Sequence, residues 1–211
     1  MLALYRARAE HYDDELAAFE PLREDAIHRL RLRPGQTVLD VGCGTGLSFQ
    51  PLLKRLGPKG HLVGIEQCPD MLARARARLP KDALGQVKLI QASAERAGWH
   101  GPKADAALLH FTHDIVSSPS ALETVFSHLK PGARVVATGL QWAQPWAWPV
   151  NAFVLGAALY SISSLQGLDR PWSELEKRLE DFEVTHEWMG SIYIASGHCP
   201  ARVKTQTSTG A

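Results

Sequence analysis

Short apolar runs alternate with predicted helices along most of this chain. Five runs are rich in apolar residues, and the first is almost wholly apolar, which is typical of a strand buried in a parallel sheet. They cover residues 37–41, 61–66, 87–91, 104–110 and 134–139. Helices are predicted between them, as in 69–79, which starts with proline, and in 120–129, where Ser120 and Glu123 have the spacing of a capping box. This alternation favours an α/β fold with an open, mostly parallel sheet.

The two ends of the chain add different elements. Residues 4–32 have helical spacing, with a second helix beginning at Pro21, and another helix is predicted from Pro171 to about Glu180. Segments 182–188 and 191–195 then resemble an antiparallel pair of strands. We therefore expect one domain over residues 1–198, with N-terminal helices in 1–33, an insertion at 141–168 and a flexible tail at 199–211.

Composition narrows the class of protein. The chain has 211 residues, 45% hydrophobic and 21% charged, as expected for one globular domain. Its net charge of +1 is too small for the attraction on which nucleic-acid binding depends, so no nucleic-acid partner is expected. Cys43, Cys68 and Cys199 lack zinc-ligand spacing and indicate free thiols in a cytoplasmic protein, with no metal site. Charged residues among the first fifteen argue against a signal peptide.

One long segment carries no charge. No Asp, Glu, Lys or Arg occurs in residues 135–168, which include Trp142, Trp146 and Trp148. A membrane helix needs about 20 apolar residues, and the fifth strand and two prolines interrupt this segment, so no integral membrane segment is expected. We predict a helical lid that lines a pocket with apolar and aromatic side chains. Peripheral membrane contact and a helix simply packed on the sheet stay open as alternatives.

A glycine loop follows the first strand. The chain has Asp40, then glycines at 42, 44 and 46, and Leu47 where a dinucleotide fingerprint would have its third glycine. An acid directly before the loop would repel a pyrophosphate but suits a ligand with an ammonium group. The loop therefore favours a cationic ligand over a dinucleotide.

With this loop the chain resembles the class I S-adenosylmethionine-dependent methyltransferases, of the small-molecule type that includes the ubiquinone and menaquinone C-methyltransferases. The resemblance implies a Rossmann-like, doubly wound, seven-stranded and mostly parallel sheet with an antiparallel last strand and helices on both faces. It implies S-adenosylmethionine as cofactor, with Glu66 accepting both ribose hydroxyls. Ser93 departs from the family's usual Asp. The implied cofactor residues are Asp40, Gly42, Gly44, Thr45, Gly46, Leu47, Glu66, Gln67, Met71, Ser93, Ala94, Glu95 and His110.

The segment after the fourth strand bears on the acceptor. It reads Leu-His-Phe-Thr-His-Asp from 109 to 114, not the Asn/Asp-Pro-Pro-Tyr of amine-methylating enzymes. His113 beside Asp114 is the candidate general base, and Tyr12 lies in a helix that resembles the family's cofactor-covering helix. Tyr5, Phe111, Trp142 and Trp146 are the candidate acceptor-binding residues.

These features predict methyl transfer to a small, mostly apolar or aromatic metabolite. Three alternatives stay open, because fold does not fix function. One is an enzyme that cyclises or cleaves the sulfonium and releases methylthioadenosine. The others are a lipid methyltransferase at the membrane surface and a non-catalytic binding module. The oligomeric state is left open.

Overall fold

A computed structural model of the chain describes residues 19–161, 165 and 167–201. Its centre is a seven-stranded sheet of order β3-β2-β1-β4-β5-β7-β6. The first five strands are parallel, and β7 is antiparallel to both of its neighbours. This confirms the predicted sheet. The strands are β1 (Thr37–Val41), β2 (His61–Glu66), β3 (Val87–Gln91), β4 (Ala104–His110), β5 (Leu129–Leu140), β6 (Glu180–Glu187) and β7 (Ile192–His198).

Helices cover both faces of the sheet. They are α1 (Glu20–Arg29), α2 (Phe49–Leu56), α3 (Pro69–Ala77), α4 (His113–Val116), α5 (Pro119–Ser127), α6 (Trp148–Ser161) and α7 (Ser173–Glu176). Because successive residues of a strand point to opposite faces, neighbouring residues of β1 enter different core clusters. Val38 packs with side chains of α1, α2 and α3, whereas Leu39 packs with those of α5 and α7. Burial on both faces explains the continuous apolar runs.

The strand order brings distant segments together at one edge of the sheet. Strand β1 lies between β2 and β4, and β5 lies beside β4. The carboxyl ends of these parallel strands therefore form one edge, where an open α/β sheet binds its ligands. The glycine loop after β1, Glu66 at the end of β2 and His110 at the end of β4 all lie on this edge.

Several boundaries differ from the sequence-based expectation. Strands β6 and β7 cover 180–187 and 192–198 rather than 182–188 and 191–195. Strand β5 starts at Leu129 rather than 134, and the charged helix after Pro171 is only the four-residue α7. Helix α5 is capped by Ser118, whose Oγ accepts a hydrogen bond from the Ala121 amide, not by Ser120. Pro119 explains this shift, because proline favours the first helical position and leaves the residue before it as the cap.

The uncharged segment contains the predicted helix, α6. Within the described residues, no helix has the length and apolar character that a membrane crossing requires. All three cysteines are buried as free thiols, as predicted. The N-terminal residues 1–18, which hold Tyr5 and Tyr12, and nearly all of the tail after residue 199 lie outside the described part of the chain.

Candidate active site

A cavity of about 220 Å³ opens at the carboxyl edge of the sheet. The glycine loop and the end of β2 form one of its sides, and the segment after β4 forms the other. Ser93, Ala94 and Glu95, after β3, complete its wall. The cavity therefore lies where the strand order brings four strand ends together.

Hydrogen bonds to β2 fix the backbone of the glycine loop. The amides of Gly42 and Cys43 donate to the Ile65 carbonyl at 2.8 and 3.0 Å. Gly42 has φ +71°, and a Cβ at this position would lie 2.5 Å from Cγ2 of Thr112. No other residue fits there without displacing the segment after β4, which accounts for a glycine at 42.

Glu66 is held at the end of β2 by two backbone amides. Its Oε2 accepts from the Gly44 amide at 3.1 Å, and its Oε1 accepts from the Cys68 amide at 2.8 Å. Burial raises the pKa of this carboxyl, and the hydrogen bonds from backbone amides offset part of that rise. Each carboxylate oxygen keeps a second lone pair, so Glu66 can accept two further hydrogen bonds from a ligand.

Asp40 is buried beneath the loop, at 2% exposure. Burial raises its pKa to about 7, the nearby Arg23 lowers it and the nearby Glu66 raises it. Oδ2 of Asp40 is buried and has no hydrogen-bond partner in the described structure. Arg23, on α1, is itself buried and forms an ion pair with Glu20. A buried carboxylate oxygen without a partner marks a place where a ligand's cation would be stabilised.

His110 ends β4 on the opposite side of the cavity. Its Nδ1 lies 2.6 Å from Oγ1 of Thr138, the residue paired with it on β5. Burial lowers the pKa of His110 to about 3, with a further lowering from Arg23, so the imidazole is neutral. Its Nε2 is buried without a partner in the described structure.

Phe111 follows His110 with a left-handed backbone, φ +55°. Its amide donates to the Thr138 carbonyl at 2.9 Å, which holds the end of β4 against β5. The Phe111 ring contacts the rings of His110 and Phe19 edge-on, with distances between ring centroids of 4.8 and 5.2 Å. The Phe19 ring in turn stacks on Trp188, with 4.9 Å between the ring centroids. We call Phe111, Phe19 and Trp188 the aromatic row. A strained backbone beside a cavity is typical of a functional position.

His113 and Asp114 begin the short helix α4 and both line the cavity. The His113 side chain is buried at 6% exposure. Thr112 precedes the helix and has a buried hydroxyl without a partner in the described residues. Imidazole and carboxylate groups thus stand on the same side of the cavity as the aromatic ring of Phe111.

Most of the predicted site residues line this cavity. These are Gly42, Gly44, Glu66, Gln67, Met71, Ser93, Ala94, Glu95, His110, Phe111, His113 and Asp114. Asp40, Thr45, Gly46, Leu47, Trp142 and Trp146 are not among the described residues that line it. Gly46 faces the Phe49 ring, 2.8 Å from where its Cβ would be, and Trp142 packs against the core on the α1 side of the sheet. Trp146 is 70% exposed.

Sequence reasoning missed several residues of the site. Ile65, Ala92, Thr112, Ile115 and Ala121 also line the cavity. The first two flank predicted residues at strand ends, so their position was available from the strand pattern. Arg23 and Thr138 could not be found from the sequence. Arg23 lowers the pKa of Asp40 and Thr138 forms a hydrogen bond with His110, and only the fold brings each pair together.

Comparisons with known proteins bear on this site. Residues 38–132 match a family described as "Methyltransferase domain". In this segment the chain is similar to methyltransferase domains. It is similar to the demethylmenaquinone methyltransferase of Oceanobacillus iheyensis, with 27% identity over 124 residues that cover 58% of this chain and 51% of that protein. It is also similar to a ubiquinone/menaquinone biosynthesis C-methyltransferase of Vibrio cholerae, with 31% identity over 141 residues that cover 62% and 54%.

The chain also resembles solved structures in fold. A SAM-dependent methyltransferase from Aquifex aeolicus aligns with a TM-score of 0.57 and 20% identity, over 84% of this chain and 89% of that one. The chain spans about half the length of the curated relatives it matches. The Aquifex aeolicus protein is named as SAM-dependent, and S-adenosylmethionine is the cofactor that the sequence resemblance implies for this chain. The residues present fit it: a partnerless carboxylate oxygen on Asp40, an open glycine backbone at 42 and 44, and two acceptor oxygens on Glu66.

Proposed function

We propose that this protein transfers a methyl group from S-adenosylmethionine to a small, mostly apolar or aromatic metabolite. The observation that carries the proposal is the Glu66 carboxylate, fixed by the amides of Gly44 and Cys68 at the wall of a cavity floored by glycines. A carboxylate held in this way is preorganised to accept the two hydroxyls of a ribose.

The remaining cofactor contacts are those that the family resemblance implies, and most of these residues line the cavity. Glu66 would hold the ribose, and Gln67, Met71, Ser93, Ala94 and Glu95 would hold the adenine. Asp40 and the loop, including Gly42, Gly44, Thr45, Gly46 and Leu47, would hold the methionine part, with His110 beside it. When bound, S-adenosylmethionine supplies an electrophilic methyl group on a positively charged sulfur.

The chain's own residues have three tasks in such a reaction. They must align the acceptor with the methyl group, exclude water and remove a proton from an acceptor that is not yet nucleophilic. His113 is the proposed base, with Asp114 beside it and Tyr12 as a further catalytic candidate. Phe111 would contact the acceptor with its ring, and Tyr5, Trp142 and Trp146 complete the proposed acceptor-binding set.

The relatives suggest the acceptor class. The two curated relatives act, by their names, on quinone precursors. Planar rings of this kind suit a wall formed by Phe111 and a neutral His110. We propose phenols or quinols as acceptors, reached in the cytoplasm and without a nucleic-acid partner.

The uncharged segment 141–168 is the proposed lid. It begins directly after Leu140, at the edge of the sheet where the cavity opens. Trp146 and Trp148 are 70% and 73% exposed, so they offer ring surface that an acceptor could cover. We expect Trp146→Ala to raise KM for the acceptor several-fold with little change in cofactor affinity. An unchanged KM would remove Trp146 from the acceptor-binding set.

Calorimetry with S-adenosylhomocysteine tests the cofactor site. We expect binding to the unchanged chain and a loss of about 100-fold in affinity for Glu66→Ala, because two charge-assisted hydrogen bonds contribute about 3 kcal/mol together. Glu66→Gln, which keeps one carbonyl acceptor, should bind with intermediate affinity. Glu176→Ala is the matched control, since Glu176 pairs with Arg170 on the exposed face of α7. No binding by the unchanged chain contradicts the proposal.

Mass spectrometry of the products tests the reaction. Incubation with S-adenosylmethionine and a panel of phenols and quinols should yield S-adenosylhomocysteine in equal amount to the methylated acceptor. Methylthioadenosine as the product would instead support cyclisation or cleavage of the sulfonium.

A further inference from the structure

A buried hydrogen bond links the cavity to the strand behind it. His110 and Thr138 are paired residues of β4 and β5, and Nδ1 of His110 lies 2.6 Å from Oγ1 of Thr138. Thr138 is fully buried. In the part of the chain that the structure describes, its hydroxyl has no partner besides this ring nitrogen.

The direction of this bond follows from where the unpaired hydrogen would lie, because either direction leaves one hydrogen of the pair without a partner. If Nδ1 donated, that hydrogen would be on the hydroxyl of Thr138, which is fully buried, so no ligand could accept it. If the hydroxyl donates, that hydrogen is on Nε2 of His110, a residue that lines the cavity, so a bound ligand can accept it. A buried donor without a partner costs free energy, so a ligand that accepts this hydrogen favours the arrangement in which Thr138 donates.

His110 is therefore a neutral donor at the cavity wall. Its ring stays uncharged because burial lowers the pKa to about 3. With Nδ1 engaged by Thr138, the proton is on Nε2, which has no partner in the described structure and belongs to a residue that lines the cavity. A neutral N–H attracts an oxygen lone pair without adding a positive charge beside the cationic sulfur of the cofactor.

We propose that Thr138 is a positioning residue that fixes His110 in its Nε2–H tautomer, and that His110 donates this hydrogen to an oxygen atom of the methyl acceptor, of the phenol or quinol class. This rests on the proposed function. In that function the ribose lies at β2 and the methionine part at the loop after β1, so the next strand, β4, faces the transferred methyl and its acceptor. The Phe111 ring, 4.8 Å from His110, provides the surface on which an acceptor ring packs.

In this role His110 determines which acceptors bind and does not act as a base. A site built to donate to an oxygen discriminates against an analogue of the same size that lacks it, because the buried donor is then left without a partner. For one hydrogen bond we expect a preference of about tenfold. His113 remains the proposed base, at the start of α4.

The first test is the tautomer of His110, read by long-range ¹H–¹⁵N NMR of protein labelled at its nine histidines. His110→Phe identifies the His110 signals by their loss. We expect a protonated Nε2 and an accepting Nδ1 between pH 5.5 and 8.5. Thr138→Ser should keep this pattern, whereas Thr138→Val, of nearly equal shape, should shift the population toward the other tautomer. A proton on Nδ1 in the unchanged chain overturns the proposal whether or not the protein is a methyltransferase.

The second test measures binding of 1-naphthol and 1-methylnaphthalene to protein saturated with S-adenosylhomocysteine. We expect the unchanged chain to prefer 1-naphthol by about tenfold and His110→Phe to lose this preference. The affinity of each protein for S-adenosylhomocysteine is measured first, and both probes are compared at saturation, so that a change in cofactor affinity in His110→Phe does not enter the comparison. Equal binding of the two probes, or no binding of 1-naphthol, overturns the proposal.

Two further outcomes distinguish the role of His110 from the proposed function itself. A His110→Phe variant that loses S-adenosylhomocysteine and 1-naphthol equally would assign the donor to the cofactor, against the inference. If the unchanged chain binds no S-adenosylhomocysteine, the proposed function itself fails, while the tautomer measurement still decides the role of Thr138.

Discussion

The two sides of the cavity differ in chemistry although they lie on neighbouring strands. On the β1 and β2 side, carboxyl groups of Asp40 and Glu66 are buried, and their pKa values are raised by that burial. On the β4 side, a neutral imidazole, His110, stands against the ring of Phe111. The first side suits a cation with hydroxyl groups, whereas the second suits a planar, weakly polar molecule.

The two sides also differ in the groups that hold their side chains in place. Backbone amides hold Glu66, so its position depends on the loop conformation. A side chain, Thr138, holds His110, and aromatic contacts hold Phe111. We infer that changes on the first side mainly alter cofactor affinity, and that changes on the second mainly alter turnover and acceptor choice.

The largest expected effect is on the β4 side. His113→Ala should lower kcat by about 10² to 10⁴, the range that general bases contribute, with cofactor affinity nearly unchanged. The measurement is steady-state kinetics with the acceptor found in the panel of phenols and quinols. His61→Ala, at the exposed start of β2, is the matched control. A fall of less than tenfold would show that His113 is not the base.

The next effect concerns stability on the β1 side. The pKa of Asp40 is about 7 in the folded chain against 3.8 for an ordinary Asp, so between these pH values the folded state keeps a proton that the unfolded state has lost. The free energy of unfolding therefore falls as pH rises from about 4 to 7, by a few kcal/mol, and then levels. Asp40→Asn removes this titration, so its stability relative to the unchanged chain should increase over the same interval.

Urea unfolding at pH 5, 6, 7 and 8 measures this difference. Asp82→Asn, at an exposed position near α3, is the control and should follow the unchanged chain at every pH. A constant difference between Asp40→Asn and the unchanged chain would mean that Asp40 does not titrate in this range.

The smallest effect concerns the aromatic row. Phe19→Leu keeps an apolar side chain but removes the ring contacts with Phe111 and Trp188, and should lower stability by about 1 kcal/mol. Acceptor KM should rise a few-fold, and S-adenosylhomocysteine affinity should stay unchanged. A matching loss of cofactor affinity would contradict the division between the two sides.

The strands were the most predictable part of the molecule. Strands β1 to β4 have the predicted bounds, because each is a short segment rich in apolar residues and closed by a turn. The start of β5 was missed because a Lys-Pro-Gly segment, 130–132, has the composition of a turn but continues the strand. The cap of α5 was misplaced because two serines flank Pro119, and only the geometry of proline distinguishes them.

The site was predictable where one local motif contains the residue. Glu66 and the glycines follow their strands directly, so the motif located them. Thr138 could not be found in this way, since its role depends on pairing with His110 across two strands. For Trp142 the uncharged composition indicated a pocket, but that composition is equally typical of the core against which Trp142 packs.

At Phe111 the requirement for an unstrained backbone conflicts with the requirement for an aromatic ring. Asn or Gly at 111 would relieve the strain of φ +55°, by about 1–2 kcal/mol. The same change would remove the ring that packs on His110 and Phe19. Because the backbone bond from residue 111 to Thr138 does not involve the side chain, the sheet would tolerate the exchange. Position 111 is therefore a site where relief of backbone strain offsets the loss of ring packing, so that a variant with a different acceptor range can be sought at little cost in stability.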